Sequence, residues 1–430
     1  GEFSITFSVT DGATGVVSAV SDFTLAFGVS FDAITLTQTL DNPNSYDTGT
    51  YDYFGIAIAQ SGDLAAIVAT GEDEAGYTNT GKIYIYNVTT GTLLRTISNP
   101  NSTDAGSSQF AGSGAVDMDG DYLIVGSPNE SDQSGKAYIF NVTTGALLRT
   151  LDNPNAYGTS FSDNFGNAVA ISGNYAIVGA YTEDDAVGLG QGKAYIFNVT
   201  TGALLHTLDN PGTYVTAYAT FGSKVDIDGN YAIVNAPNER NSAGDTFIGA
   251  VYIYNVTTGA LIRSLANPNP HGGEQNDKIG AQVCLSGDYG IFTTYTETSD
   301  DFAGSTEGYA YIFNVTTGAL LHTLKNPNSY GTGASDRFGQ YAAMDGNFAV
   351  ISAFAEDGPL GDSSGYAYVY DVTTGTLLHS IANPNAYDTP VQDNFGQAVS
   401  ISGNYVMVGA YTEDDANGIS SGKAYIFKGS

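Results

Sequence analysis

The chain has 430 residues, and its 45 Asp and Glu against 13 Lys and Arg give a formal net charge of −32. So acidic a surface repels phosphate, which argues against nucleic acid and anionic membranes as partners and favours cations. A single cysteine (Cys284) and only 4 His exclude a disulfide framework and Cys- or His-rich metal centres, while 54 Gly and 30 Tyr point to strands and tight turns.

Residues 1–32 open the chain with strict alternation: Phe3, Ile5, Phe7, Val9, then Phe23, Leu25, Phe27, Val29 and Phe31. Alternation of this kind predicts half-buried strands, and two strands alone do not make a stable domain. Their apolar face needs a partner. Three are open: the side of the same chain, a missing upstream immunoglobulin-like domain, or a groove in a neighbouring copy. Head-to-tail donation to a neighbour does not close, so it builds a filament. Self-association into a homopolymer through these assembly strands is the reading taken. No leader peptide is visible, and no run of about 18 apolar residues predicts membrane insertion.

Beyond residue 32 the chain is a repeat. A Tyr-x-Phe/Tyr core begins at Tyr84, Tyr138, Tyr195, Tyr252, Tyr311, Tyr368 and Tyr425, seven copies 54 to 59 residues apart. Phe-Gly or a near variant begins at Phe54, Phe110, Phe165, Phe221, Ile279, Phe338 and Phe395, and Asn-Pro ends at Pro43, Pro100, Pro154, Pro211, Pro268, Pro327 and Pro384. The third unit predicts four strands: Phe165 to Ser172, Tyr175 to Tyr181, Lys193 to Val199 and Ala203 to Leu208. A two-residue turn at Gly173-Asn174 joins the first pair, and Thr200-Thr-Gly202 the last. No segment has sustained helical periodicity. Four short antiparallel strands at this period make a propeller blade, so the expected fold is all-β, a seven-bladed β-propeller. The last unit stops after its third strand, at Phe427-Lys-Gly-Ser430, and Ile34 to Leu40 reads as an orphan fourth strand. Residues 33–430 are therefore expected to form a ring closed by strand 34–40, because a bare edge would expose unpaired backbone groups.

The two faces of such a disc differ. Short turns occupy one; the acidic loops and the loops opening at Asn-Pro occupy the other, which is the expected working face. There a glutamate recurs at Glu72, Glu130, Glu183, Glu239, Glu297, Glu356 and Glu413, and an aspartate two residues before Phe-Gly at Asp52, Asp163, Asp277, Asp336 and Asp393. One reading is a ring of carboxylates recruiting cations. The plainer one has each carboxylate accepting loop N–H groups or pairing with Lys82, Lys136, Lys193 or Lys423. The best cation candidates are Glu183, Asp184 and Asp185, and Glu413, Asp414 and Asp415; no cofactor is required, and calcium is the metal to consider. Asn87, Asn141, Asn198, Asn255 and Asn314 on the short-turn face, with Asn101 and Asn129 opposite, fit the glycosylation acceptor pattern and equally fit turn-shaping asparagines. Arg95, Arg149, His206, Arg263, His322 and His379, with Gln38 in the first copy, read as edge charges that deter aggregation. Cys284 reads as core.

The unit resembles the FG-GAP repeat of integrin α-subunit propellers and many secreted microbial proteins. The residues that carry the likeness are Phe165-Gly166, Val178-Gly-Ala-Tyr181 where that family has Gly-Ala-Pro, and Gly192-Lys-Ala-Tyr-Ile-Phe197; Gly126-Ser-Pro128 and Asn235-Ala-Pro237 stand at the middle position in units two and four. The resemblance implies a seven-bladed ring and an extracellular or cell-surface role in binding or structure. That family's calcium-binding units carry an Asp-rich loop between the first two strands. Here that loop is a tight turn, with Asp117-Met-Asp119-Gly-Asp121 and Asp226-Ile-Asp228-Gly as remnants, too short to supply about six oxygen ligands. Two functions follow as expectations: a non-enzymatic structural protein polymerised through residues 1–32, or an adhesin-like module holding a glycan or protein on the long-loop face, with Tyr46, Tyr157, Tyr214, Tyr330 and Tyr387 as contacts. The sequence contains no nucleophile motif, and near-identical units argue against an enzyme's unique site.

Overall fold

The computed structural model describes residues 29–43, 50–74, 78–101, 110–112, 115–155, 162–184, 190–212, 218–240, 248–268, 277–294, 308–327, 335–358, 363–384, 393–414 and 419–430. They form seven four-stranded antiparallel sheets. Blades 1 to 7 are numbered by their inner strands, Phe54–Ser61, Val116–Asp119, Phe165–Ser172, Val225–Asp228, Val283–Ser286, Ala342–Asp345 and Ala398–Ser402. Blade 3 continues through Tyr175–Ala180, Lys193–Asn198 and Leu204–Asp209, within a residue of the sequence expectation at each end. Among the described residues one short helix, Glu130–Gln133, interrupts the β-structure in the second acidic loop.

The second and third strands of each blade read as continuous apolar runs because both of their faces are covered. Ile177, Val178, Tyr195 and Ile196 are fully buried. The apolar clusters bridge neighbours: one joins blades 1 and 2, the next blades 2 and 3, and so on around to blades 7 and 1. Each buried large apolar side chain is worth about 1.5–3 kcal/mol, so the ring is stabilised chiefly by blade-on-blade burial.

The Phe-Gly marker has a packing reason at both residues. Phe165 is fully buried, with its ring 5.9 Å from Tyr195 and 6.0 Å from Phe197. The same triangle recurs at Phe54, Phe110, Phe221, Phe338 and Phe395. Gly166 has φ +90°, and a Cβ there would lie 2.3 Å from the Lys136 carbonyl oxygen of blade 2. Only glycine tolerates both that backbone and that approach.

The ring closes between the chain's two ends. Ile34–Asp41 runs antiparallel to Lys423–Gly429, with Leu36 opposite Phe427 and Thr39 opposite Tyr425. Lys423 pairs with Asp41 as Lys193 pairs with Asp209 inside blade 3. Phe31 is buried, 3% exposed, edge-on to Phe348 at 4.9 Å. Of the alternating N-terminal positions, Phe3, Ile5, Phe7, Val9, Phe23, Leu25 and Phe27 lie outside the described residues.

Two rings of polar ties hold the blades together. On the short-turn face the last residue of each inner strand accepts the turn glycine N–H of the next blade: Ser61 from Gly120, Asp119 from Gly173, Ser172 from Gly229, Asp228 from Gly287, Ser286 from Gly346, Asp345 from Gly403, and Ser402 from Gly62. This chain of bonds closes on itself. At the rim, the Arg and His side chains read from the sequence as edge residues that deter aggregation also tie neighbouring blades. Each reaches over to the next blade's Val-Thr-Thr-Gly turn and donates to a carbonyl oxygen there. Arg95 donates to Thr143 and Thr144, Arg149 to Thr200, His206 to Thr257, Arg263 to Thr316 and His322 to Thr373. Where blade 7 has no such turn, His379 donates to the Phe31 carbonyl oxygen instead. The outer strand also carries a β-bulge, a feature that twists edges away from pairing: pairing steps from Ile196–His206 to Phe197–Leu204, leaving Leu205 as an extra residue.

Candidate functional site

The long-loop face was the expected working surface, and its repeated glutamates turn inward. Glu183 is fully buried, and both of its carboxylate oxygens lie 2.6 Å from the Tyr195 hydroxyl, which donates to them. Glu72 accepts from Tyr84, Glu130 from Tyr138, Glu239 from Tyr252, Glu356 from Tyr368 and Glu413 from Tyr425. Glu297 lies outside the described residues. The carbonyl of Glu183 also accepts the Gly192 N–H, and that of Glu413 the Gly422 N–H. Each glutamate therefore pins its acidic loop to the third strand. Burial, followed by the carboxylate charge, raises the pKa of Tyr84 and Tyr252. Burial likewise raises Glu239.

Lys82 pairs with Glu72 at 2.8 Å. Lys136, Lys193 and Lys423 pair instead with the outer-strand aspartates Asp152, Asp209 and Asp41. The aspartates before Phe-Gly clasp the asparagine of the Asn-Pro marker ten residues earlier: Asn42 to Asp52, Asn153 to Asp163, Asn267 to Asp277, Asn326 to Asp336 and Asn383 to Asp393, at 2.8–2.9 Å. Two of the three sequence markers are thus the two ends of one loop closure. Burial pushes Asp163 up to about 6.

Of the cation candidates, Glu183 and Glu413 are the buried tyrosine partners just described. Asp184 and Asp414 each cap their loop, accepting the Gly190 and Ser420 N–H at 2.8 Å. Asp185 and Asp415 lie outside the described residues. Among the described residues, no three of Asp, Glu, His and Cys converge to hold a metal ion. The remnant aspartates do not fit a calcium cage either, because Asp119 and Asp228 are drawn to the next blade's glycine N–H.

The sequon asparagines of the short-turn face shape their hairpins. The side-chain oxygen of Asn198 accepts both the N–H and the hydroxyl of Thr201, and Asn87, Asn141, Asn255 and Asn314 do the same. Asp371 fills that role in blade 6. Asn101 donates its side-chain amide to Glu130 at 2.7 Å, and Asn129 precedes the short helix. Tyr46, Tyr157, Tyr214, Tyr330 and Tyr387 lie outside the described residues.

The inner strands of all seven blades line an axial cavity of about 460 Å³. Its lining carries ionisable side chains in four blades: Asp117 and Asp119 in blade 2, Lys224, Asp226 and Asp228 in blade 4, Cys284 in blade 5, and Tyr341 and Asp345 in blade 6. Asp117 and Asp226 accept the N–H of Ile171 and Leu285 from the next blade. Burial drives Asp117 up to about 6, Asp226 well above its usual range, and Cys284 likewise upward, while it lowers Lys224. The Cys284 thiol is buried and donates to the Ala342 carbonyl oxygen.

Sheet order, ring closure and the paired markers define the class: a closed seven-bladed β-propeller of tandem units. The FG-GAP repeat model matches four of those units, over residues 45–86, 156–197, 330–370 and 385–427, in blades 1, 3, 6 and 7, and the chain carries FG-GAP repeats. A search of curated proteins finds no match. Among the described residues no helix is long and apolar enough to cross a membrane.

Proposed function

We propose that this propeller is a non-enzymatic structural protein of the cell exterior, assembled into a filament or surface polymer through its N-terminal residues. The supporting observation is how the chain enters the ring. Phe31 is seated against blade 6, and its carbonyl fills the position that a hairpin turn occupies in every other outer-ring tie. Two residues upstream Val29 is 46% exposed, and the sequence alternates apolar residues from there back to Phe23 and again from Val9 back to Phe3. A leader whose alternation predicts strands, attached at the rim of the disc, suits donation to a neighbouring copy. The rest of the molecule fits a scaffold: its repeated Glu, Asp, Arg and His side chains make ties within and between blades. An extracellular setting accords with the FG-GAP repeats.

Negative-stain imaging of the full chain, beside a variant that lacks residues 1–28 and keeps Phe31, tests the reading. Fibres from the full chain and single discs from the variant are expected. Single discs from both would contradict it.

A further inference from the structure

The long-loop face repeats its anchors from blade to blade and departs from repetition at the seam where blade 7 meets blade 1. There Tyr53 and Tyr411 approach with ring centroids 5.7 Å apart at 56°, and Tyr51 adds a third ring 6.3 Å from Tyr53. The units that follow carry Gln109, Asn164, Thr220, Lys278, Arg337 and Asn394 at the position of Tyr53. Thr70, Pro128, Pro237 and Phe354 stand at the position of Tyr411, while Tyr181 and Tyr295 match it, but the next units carry Thr220 and Arg337 at the position of Tyr53. A tyrosine on both sides occurs at this seam alone.

The platform is held in place by backbone. Tyr51 and Tyr53 donate their N–H groups to Ile419 and Ser420 of blade 7, and Gly71 donates to Asp52. A Cβ on Gly71 would sit 1.9 Å from the Tyr51 carbonyl oxygen, so the loop rests directly on that glycine. Tyr51 and Tyr53 have φ of 64° and 60°; Ser162 and Asn164 share this backbone in blade 3. The conformation belongs to the repeat, and the aromatic rings are what blade 1 adds to it.

Tyr53 and Tyr411 border a cavity of about 360 Å³, a size suited to a small ligand, and Tyr51 stands behind Tyr53 outside its lining. Beside Tyr53 and Tyr411 its lining includes Thr70, Asn79, Thr412 and Ser420, and no lining side chain is charged. In a chain of net charge −32 that neutrality is informative. A charged ligand would need a counter-charge that the pocket lacks. Tilted aromatic faces framed by hydroxyl and amide groups suit a molecule with an apolar face and a polar perimeter. We propose that this seam binds a neutral carbohydrate, with a pyranose ring against Tyr53 and Tyr411 and its hydroxyls toward Thr70, Asn79 and Ser420. This site stands whether or not the chain polymerises.

The test is an array of neutral and charged glycans probed with the full chain, followed by titration of the strongest neutral glycan into variants. Neutral glycans are expected to be retained. Tyr53→Ala and Tyr411→Ala should each weaken binding at least tenfold, whereas Tyr53→Phe and Tyr181→Ala, at the seam of blades 3 and 4, should bind like the parent. The melting temperature of each alanine variant, expected to match the parent's, separates lost contact from lost fold. Failure to retain any neutral glycan, or unchanged binding by both alanine variants, would overturn the proposal.

Discussion

The two faces of the disc use repetition differently. On the short-turn face one bond recurs at every blade junction: a Ser or Asp at the end of an inner strand takes the next blade's glycine N–H, from Gly120 around to Gly62. On the long-loop face the anchors also recur, as Glu183 with Tyr195 and Asn153 with Asp163. The surface laid over those anchors changes from seam to seam, and at Tyr53 and Tyr411 it becomes an aromatic pocket. Residues that repeat hold the ring, and residues that break the repeat are where a ligand is to be sought.

The largest expected effect tests the first half of that contrast. Glu183→Ala removes the carboxylate that accepts from the buried Tyr195 hydroxyl and releases the third acidic loop; a hydrogen bond to a charged group contributes about 1.5–3 kcal/mol. Chemical denaturation should show a loss of about 3 kcal/mol, with Glu183→Gln losing less because it keeps an acceptor. Equal stability of Glu183→Ala and the parent would remove the anchor from the account.

Acidity sharpens the contrast further, since Asp117 in the axial cavity and Asp163 in a loop clasp are both pushed up to about 6 by burial. A carboxyl whose folded pKa exceeds its unfolded value of about 3.9 binds its proton more tightly in the native state. The stabilising contribution is complete below about pH 4 and is lost as the pH rises through 6. Melting measured from pH 7 down to pH 5 should therefore move upward, and Asp117→Asn should flatten the slope. A melting temperature that falls steadily over this window would contradict the assignment.

The smallest effect belongs to the rim. Arg149 donates to the Thr200 carbonyl near solvent, and such a bond contributes about 0.5–1.5 kcal/mol. Arg149→Ala should lower stability by about 1 kcal/mol without promoting aggregation, because the bulge still protects the edge. Aggregation on substitution, with stability unchanged, would favour the edge-charge reading over the tie.

Strands, turns and ring were legible in the sequence because each marker has a local cause. The Phe-Gly pair is a wedge and a close approach; Gly173-Asn174 is a two-residue turn; Ile34 to Leu40 repeats the outer-strand pattern ahead of the first full blade. The polar side chains were legible as a pattern but not as contacts. Glu183 and Tyr195 lie twelve residues apart on different elements, and nothing in their spacing says that the carboxylate faces inward rather than toward solvent. Arg149 reads as an edge residue until the neighbouring blade is placed beside it. The pocket at Tyr53 and Tyr411 was hidden for a different reason: its two walls are separated by almost the whole chain and meet only when the ring closes.

One crossed comparison tests the central contrast most directly: Glu183→Ala and Tyr53→Ala, each measured for melting temperature and for binding of the array-selected neutral glycan. The account predicts that Glu183→Ala lowers the melting temperature and leaves glycan affinity alone, while Tyr53→Ala removes affinity at the parental melting temperature. The reverse pairing, or two variants affected alike in both measurements, would contradict it.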